Sequence, residues 1–395
     1  LFLAYLSRRR NTYRLRLLLL PAVIGSLVSW PYQHTWVSTP ELRDLLVQDW
    51  GISLMVVAFI AKSLHLALDP NGTLKVGEDS EAQLPASGLL EPSVRKHDKK
   101  TRQHLPLVPD AVYDACEVAI SQRGIGYKFG AGTYIPPHTK PLERKPFLRA
   151  TFLSLLRNLF ILDALDTALR IIPGLLQGEG DSTLFNAALP PLPRYALSTS
   201  ITLLTVWHMF TGFTVGYDMS ALFCVGALGS SPSSWPPVLQ NPVKSDSLHK
   251  FWARSWHQWL RQAFYVYGGY SGKWLAGTPG MVVGMFAASA LVHECSVNMT
   301  GLPWEWYPVG FFMMQPVFLG MEKLYTKITG KRVGGWKGGV WAYGCLALTS
   351  QAYVDSWYRR GLRGGLALAV PPQFSLIGHL VQWYSGSIKD CCSCT

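Results

Sequence analysis

The sequence predicts an all-α, polytopic integral membrane protein with about seven to nine transmembrane helices, a single unit over residues 1–395. Three observations predict it. Only 15% of the 395 residues are charged and 49% are hydrophobic. A soluble domain carries about 25% charged residues, so this chain has too little polar surface to clothe a globule of its size. The apolar residues are also clumped into runs near the ~20 residues that span hydrocarbon. Finally, the basic residues behind the formal net charge of +12 lie between those runs, as in Arg8-Arg9-Arg10, Lys96, Lys99, Lys100 and Arg102, and Lys327, Lys331 and Arg332. That is the pattern of loops facing anionic headgroups. Membrane lipid is therefore the expected surface partner, and no nucleic acid is expected, since no nucleic-acid module accompanies the charge.

The elements follow in chain order. Residues 15–30, preceded by Arg8, Arg9, Arg10, Arg14 and Arg16, form the first apolar run, and 51–68 the second. The connection 31–50 carries one basic residue, Arg43, so it reads as lumenal and the basic stretch 69–146 as a cytosolic loop region, with a flexible loop at 77–101. Residues 146–176 bear Arg149, Arg157, Asp163, Asp166 and Arg170 at helical spacing; they read as an amphipathic or interfacial helix followed by a short span. Residues 195–228 are long enough for one tilted span plus a re-entrant piece. Residues 229–272 read as a cytosolic or interfacial loop and amphipathic helix, with a Pro/Ser/Trp-rich loop at 230–246 and a charged helix to about Phe264. The last third alternates spans and turns, at 280–297, 305–321, 336–354 and 366–384. There is no internal repeat and no heptad run.

The seven cysteines show neither a paired framework nor metal-type spacing, and no metal is expected. Cys224, Cys295 and Cys345 lie in apolar runs and read as small packed hydrophobes. The tail Cys391-Cys392-Ser393-Cys394-Thr395 resembles a prenylation box superficially, but serine and cysteine occupy its aliphatic positions; reversible palmitoylation beside a membrane helix fits better. The chain opens at Leu1 rather than methionine, so further residues are expected to precede it.

Three segments carry candidate chemistry. In Ala288-Ser289-Ala290-Leu291-Val292-His293-Glu294 a histidine interrupts an apolar run, where a polar group needs a partner or a water-lined cavity. Its neutral imidazole can accept a proton from a hydroxyl, or it can be satisfied by an interhelical hydrogen bond; the segment alone leaves both open. Glu294 points about 100° away on a helix and reads as a supporting partner, with no second histidine at i+4 to make a metal motif. In Phe251-Trp252-Ala253-Arg254-Ser255-Trp256-His257-Gln258-Trp259-Leu260-Arg261, a helical reading puts Trp252, Trp256 and Trp259 on one stripe and Arg254, His257, Gln258 and Arg261 on another. The first suits a membrane interface. The second is either a solvated basic face or a pair of guanidiniums able to grip phosphate. The third segment, Arg123-Gly124-Ile125-Gly126-Tyr127, permits a tight backbone but lacks the context of a dinucleotide fingerprint. His65 and His208, lone histidines in hydrophobic runs, are candidates to line a cavity.

Taken together, Arg123-Gly124-Ile125-Gly126-Tyr127, Trp235-Pro236-Pro237, Phe251-Trp252…Trp256-His257-Gln258 and Ala290-Leu291-Val292-His293-Glu294 resemble, in order, the wax synthase-like branch of the membrane-bound O-acyltransferases, within it the fungal acetyltransferases of terpenoid and other secondary metabolism. Ala253 stands where that family commonly has glycine, and Tyr127 where it commonly has tryptophan. The resemblance implies helices around an internal reaction chamber, in the endoplasmic reticulum membrane, and transfer of an acyl group from acyl-CoA to a hydroxyl. His293 matches the family's base and His257 its second polar residue. Arg254, Arg261, Gln258 and Trp256 are then the candidate acyl-CoA contacts, and Ser289, Glu294 and His208 the candidate acceptor contacts. Acetyl-CoA is the expected cosubstrate, with no permanently bound cofactor, and a hydrophobic, terpenoid-like alcohol the expected acceptor. A long-chain wax ester synthase is the nearest alternative. A non-enzymatic transporter, with His65, His208 and His293 along a translocation path, is the alternative of a different class; the absence of a repeat relating two halves speaks against it.

Overall fold

The computed structural model describes residues 1–34, 46–78, 109–172, 175, 184–362 and 374–392. Among them there is no sheet, only an isolated bridge between Lys75 and Tyr127. The principal helices are α1 (Tyr13–His34), α2 (Leu46–Leu68), α3 (Asp110–Ile120), α4 (Arg144–Arg170), α5 (Pro191–Gly226), α6 (Arg261–Asn298), α7 (Tyr307–Thr329), α8 (Gly335–Arg359) and α9 (Leu376–Cys392). Among the described residues three helices are long and apolar enough to cross a membrane: α1 over Tyr13–Pro31, α2 over Asp49–Leu68, and α6. The chain is thus a helical, multi-pass membrane protein.

α6 departs from the expected span at 280–297. It starts at Arg261 and reverses at Ala276 (φ −143°, ψ 28°) and Gly277 (φ 60°, ψ −146°), forming a hairpin of two arms. The arms meet backbone to backbone: a Cβ on Gly268 would strike the carbonyl of Gly284, and one on Gly272 the carbonyl of Gly280. Without a hydrophobic drive between helices in lipid, such small-residue contacts let backbones pack closely. The second arm, 278–298, is about 31 Å long at 1.5 Å per residue, which matches the hydrocarbon thickness of about 30 Å.

The expected amphipathic helix through residues 251–264 does not form. A π-helical turn covers Phe251–Ser255, the backbone is extended at Trp256 (φ −73°, ψ 152°), and helix resumes at Arg261. The Gln258 side chain donates to the carbonyls of Trp252 (3.0 Å) and Trp256 (2.9 Å), which satisfies backbone groups that the break leaves free. The tryptophan stripe is lost with the helix: Trp252 packs inward on Phe286 (5.4 Å) and donates to Gln315 Oε1 (3.1 Å), so it is a core residue and not an interfacial anchor.

Two other long segments are simpler than expected. α4 is one helix, not an amphipathic helix followed by a separate span. Its acidic residues turn inward: Asp166 pairs with Arg170 (2.8 Å), and Asp163 accepts from Ser375 Oγ (2.6 Å) and Ile377 N (2.9 Å) at the start of α9, where a negative charge is favoured. α5 is a single helix with no re-entrant piece. Its mid-helix hydroxyls Thr202, Thr211, Thr214 and Ser220 donate to carbonyls four residues back, satisfying themselves without breaking the helix.

Arg8, expected among headgroup-facing charges, is instead buried, bonded to Glu78 (2.7 Å) and Asp114 (3.0 Å). Burial opposes its charge, but the two carboxylates outweigh that effect and hold its pKa above the ordinary guanidinium value. Cys224 and Cys345 are buried as expected, whereas Cys295 is exposed on the surface of α6. Most of the loop at 77–101, the first part of the run at 366–384 and tail residues 393–395 lie outside the described residues. The main core joins α5 to α8 around Phe311, Phe312, Tyr353 and Trp357.

Candidate active site

A cavity of about 1440 Å³ runs inside the bundle, lined by α2, α4, α5, α6, α7 and α8 together with residues 136–140 and the segment from Trp235 to Gln258. On α8 its lining extends from Tyr343 to Trp357, about 21 Å along the helix. Lining residues His138, Lys244 and His249 are exposed, whereas Tyr353 and Trp357 are buried, so the cavity reaches from a basic rim to an aromatic interior.

His293 lines this cavity. Its Nδ1 lies 2.7 Å from the carbonyl oxygen of Ser289, one helical turn back, and 3.5 Å from Ser289 Oγ. A carbonyl only accepts, so Nδ1 carries the proton and donates. In the neutral ring, Nε2 is then the lone-pair nitrogen. It makes no hydrogen bond among the described residues and is not sealed from the cavity. Phe312 (4.7 Å) and Phe264 (6.2 Å) flank the ring. The turn is braced by α2, since Trp50 Nε1 donates to Ser296 Oγ (2.9 Å), which donates to the His293 carbonyl (2.8 Å).

His257 lies in the break before α6, held between Phe213 (4.9 Å) and Trp256 (4.7 Å). Burial, with a smaller contribution from the positive charge His293 would carry, pushes its pKa down to about 3, so it is neutral at physiological pH. Its Nδ1 is buried with no partner. The proton is better held on Nε2, which is not sealed from the cavity, than on an Nδ1 with nothing to accept it. The two histidines thereby present complementary faces, a lone pair on His293 and an N–H on His257.

Ser289, Trp256, Gln258 and Arg261 also line the cavity, and Arg261 Nη1 donates to Gln258 Oε1 (3.2 Å). The other three residues expected to contact substrates do not line it. Arg254 is exposed and stacks over Tyr134 (5.4 Å), so the two arginines expected on one stripe are separated by the break. Glu294 is fully buried and turned away: Oε1 accepts from Arg360 Nη1 (2.7 Å) and Glu305 N (2.7 Å), and Oε2 from Arg360 Nη2 (3.3 Å). His208 is fully buried behind the wall formed by Trp207 and Met209. His65 stacks on Phe129 (4.9 Å), away from the lining.

The glycine motif has a structural role that spacing did not reveal. Gly124 (φ 66°) and Gly126 (φ 81°) adopt left-handed backbone, and a Cβ on Gly124 would lie 2.6 Å from Gly130 Cα. That tight turn delivers Arg123 to the cavity wall. Its guanidinium donates to the carbonyls of Pro236 and Pro237, each at 2.9 Å, and to the Tyr217 hydroxyl, which itself donates to the Pro236 carbonyl (2.7 Å). Two motifs more than a hundred residues apart are one clasp, fixing Trp235 and Pro237 in the lining. Sequence reasoning missed Tyr353, Trp357 and Asn158, which also line the cavity; in an aromatic or amphipathic helix such residues carry no signal that separates wall from core.

Part of this site matches a known family. The profile of the Membrane bound O-acyl transferase family matches residues 235–314, which include Trp235-Pro236-Pro237, His257 and His293 but not the Arg123 turn. Among similar proteins, acetyltransferase ple2 of Rhodocybe pseudopiperita is 24% identical over 215 residues, covering 51% of this chain and 53% of the relative. Acetyltransferase eriL of Hericium erinaceus is 23% identical over 275 residues (65% and 69%), and acetyltransferase aurG of Calcarisporium arbuscula 24% over 222 residues (52% and 54%). The match spans about half the length of the first of these. No solved structure matches the chain. The chain is therefore distantly similar to membrane acyltransferases, fungal acetyltransferases among them, and these matches do not single out the wax synthase-like branch.

Proposed function

We propose that this protein is a wax synthase-like, membrane-bound O-acyltransferase of the endoplasmic reticulum, moving an acetyl group from acetyl-CoA to the hydroxyl of a hydrophobic, terpenoid-like alcohol. The observation that carries the reading is the His293 tautomer: a helix-internal bond from Nδ1 to the Ser289 carbonyl leaves Nε2 as a free base on the wall of a large cavity.

In this mechanism His293 Nε2 takes the proton of the acceptor hydroxyl as its oxygen attacks the thioester carbonyl. A tetrahedral oxyanion forms, and the His257 N–H donates to it. Collapse breaks the C–S bond; the thiolate of CoA leaves and recovers the proton from His293, so the enzyme ends unchanged. A neutral base of this kind supplies about 10²–10⁴-fold, and positioning in a dry cavity supplies the remainder. Acyl-CoA enters at the basic rim, where Lys244 and His249 meet its phosphates, with Arg261 and Gln258 deeper along the wall. Arg254, on the outside, has no part. Similarity to acetyltransferases supports the short acyl group, and the apolar lining supports a greasy acceptor.

The test is ester formation in microsomes containing the protein. His293→Ala removes only a bond within its own helix, so the protein should still insert and fold while acyl transfer falls by at least 10²-fold. Transfer at the wild-type rate would remove His293 from the mechanism. Lys244→Ala should raise KM for acetyl-CoA more than Arg254→Ala does; the reverse order would return the phosphates to Arg254.

A further inference from the structure

One hydroxyl in the buried wall of the cavity is open to it and has nothing to bond. Tyr353 and Trp357, one turn apart on α8, are 6% and 3% exposed and pack edge to face with ring centroids 4.4 Å apart. Both line the cavity at the end that holds His293; Phe312 packs on the His293 ring (4.7 Å) and on Tyr353 (5.7 Å). The Tyr353 hydroxyl makes no hydrogen bond among the described residues yet is not sealed off, whereas Trp357 Nε1, also without a partner, is sealed from the cavity. Neighbouring groups of the same type are satisfied: Trp50 donates to Ser296, Trp252 to Gln315, and Tyr358 bonds Thr205. Buried phenols and indoles ordinarily find a partner, and each exception calls for an explanation.

We infer that the Tyr353 hydroxyl, its ring held by Trp357, forms an oxygen-binding subsite for the acceptor, one that recognises a second oxygen, a hydroxyl or carbonyl, carried by an otherwise hydrophobic alcohol. A neutral phenol donates or accepts and carries no charge to hold an ammonium, so the complementary group is a neutral oxygen. The surrounding wall (Trp50, Phe311, Phe312, Val354) is apolar, so the rest of the ligand is greasy. Phe311, Phe312 and Trp357 clamp the tyrosine ring, fixing the hydroxyl before ligand arrives. The substrate class is an alcohol already oxygenated at a second position, which places an oxygenation step before this reaction. The inference rests on the acyl-transfer reading only for what happens at the other hydroxyl.

The experiment compares straight-chain primary alcohols with α,ω-diols of matched length, as acceptors and as ligands that raise the unfolding temperature of the detergent-purified protein. Wild type is expected to bind at least one diol more tightly than its mono-alcohol, by about fivefold for one neutral hydrogen bond. Tyr353→Phe, which removes no bond made within the protein, should leave ligand-free stability unchanged and abolish the diol preference. A diol preference absent from wild type, or untouched by Tyr353→Phe, overturns the subsite. If diols stabilise the protein through Tyr353 but no ester forms with any acceptor, the subsite stands and acyl transfer is what fails.

Discussion

Glu294 adjoins the candidate base in sequence, and the Glu294–Arg360 pair separates a structural role for it from a substrate-binding one. Glu294 is fully buried, and its three accepted bonds come from the two terminal guanidinium nitrogens of Arg360 and from the backbone of Glu305. Arg360 is nearly as buried, and its remaining partners are the Ser356 hydroxyl and the carbonyls of Ser356 and Pro303. Glu294→Ala therefore strands a guanidinium with only neutral acceptors, and removing one partner of a buried pair costs about 3–5 kcal/mol. Glu294→Gln keeps an acceptor for Glu305 and should lose less. A Glu294→Leu, Arg360→Leu double variant removes both charges and should recover most of the loss, because apolar replacement of a buried pair is often neutral. The assay is the temperature at which the purified protein loses its monodisperse elution peak, with acceptor KM measured on the surviving fraction. An alanine variant as stable as wild type but with a raised acceptor KM would refute the structural assignment and return Glu294 to the substrate.

Arg123→Met keeps the apolar stem but releases the carbonyls of Pro236 and Pro237; acyl-transfer activity should fall severalfold with an increase in KM for acyl-CoA, and unchanged kinetics would mean the clasp does not shape the cavity. Gly284→Val should prevent closure of the α6 hairpin against Gly268 at a cost of at least about 1–3 kcal/mol from overpacking, read as loss of folded protein at normal expression; a normal yield would contradict the backbone contact. His257 has a pKa depressed to about 3, so the unfolded chain binds the extra proton between that value and about 6.5. Stability is full above pH 6.5 and declines on acidification. From pH 6.5 to 5 the loss should be about 2 kcal/mol, smaller in His257→Gln, and an equal acid sensitivity of the two proteins in thermal melts would show that His257 is not buried neutral.

What the sequence made legible were single candidate residues in unusual surroundings. A histidine in an apolar run is conspicuous because hydrocarbon tolerates few polar groups, and His293 was found that way. Helical class and the apolar runs followed from composition and length. What failed were inferences from periodicity. The 251–261 stripes assumed an unbroken helix, but Gln258 satisfies backbone carbonyls from its side chain, and that break scatters Arg254 and Arg261 to different surfaces. The α6 hairpin was hidden because glycines at 268, 272, 280 and 284 read equally as ordinary residues of a membrane helix; their meaning appears only once the reversal pairs them. The Arg123 clasp was invisible for the same reason, since no local pattern announces a carbonyl partner more than a hundred residues away.

The position of the candidate base on α6 bears on why a membrane helix would suit the proposed chemistry. A histidine in water exchanges its proton between both nitrogens, and many of its encounters present the wrong one. In a helix, the carbonyl at i−4 is already within the reach of a side chain that leans toward the N-terminus, and Ser289 stands at that spacing from His293. The backbone therefore fixes the tautomer without spending another side chain, in a place where an extra polar partner would itself need to be satisfied. Ser296 and Trp50 then hold the turn that carries His293. Loss of the Trp50 to Ser296 bond, as in Ser296→Ala, should loosen that turn and lower kcat with little change in either KM, whereas a change confined to acyl-CoA KM would locate Ser296 in binding instead.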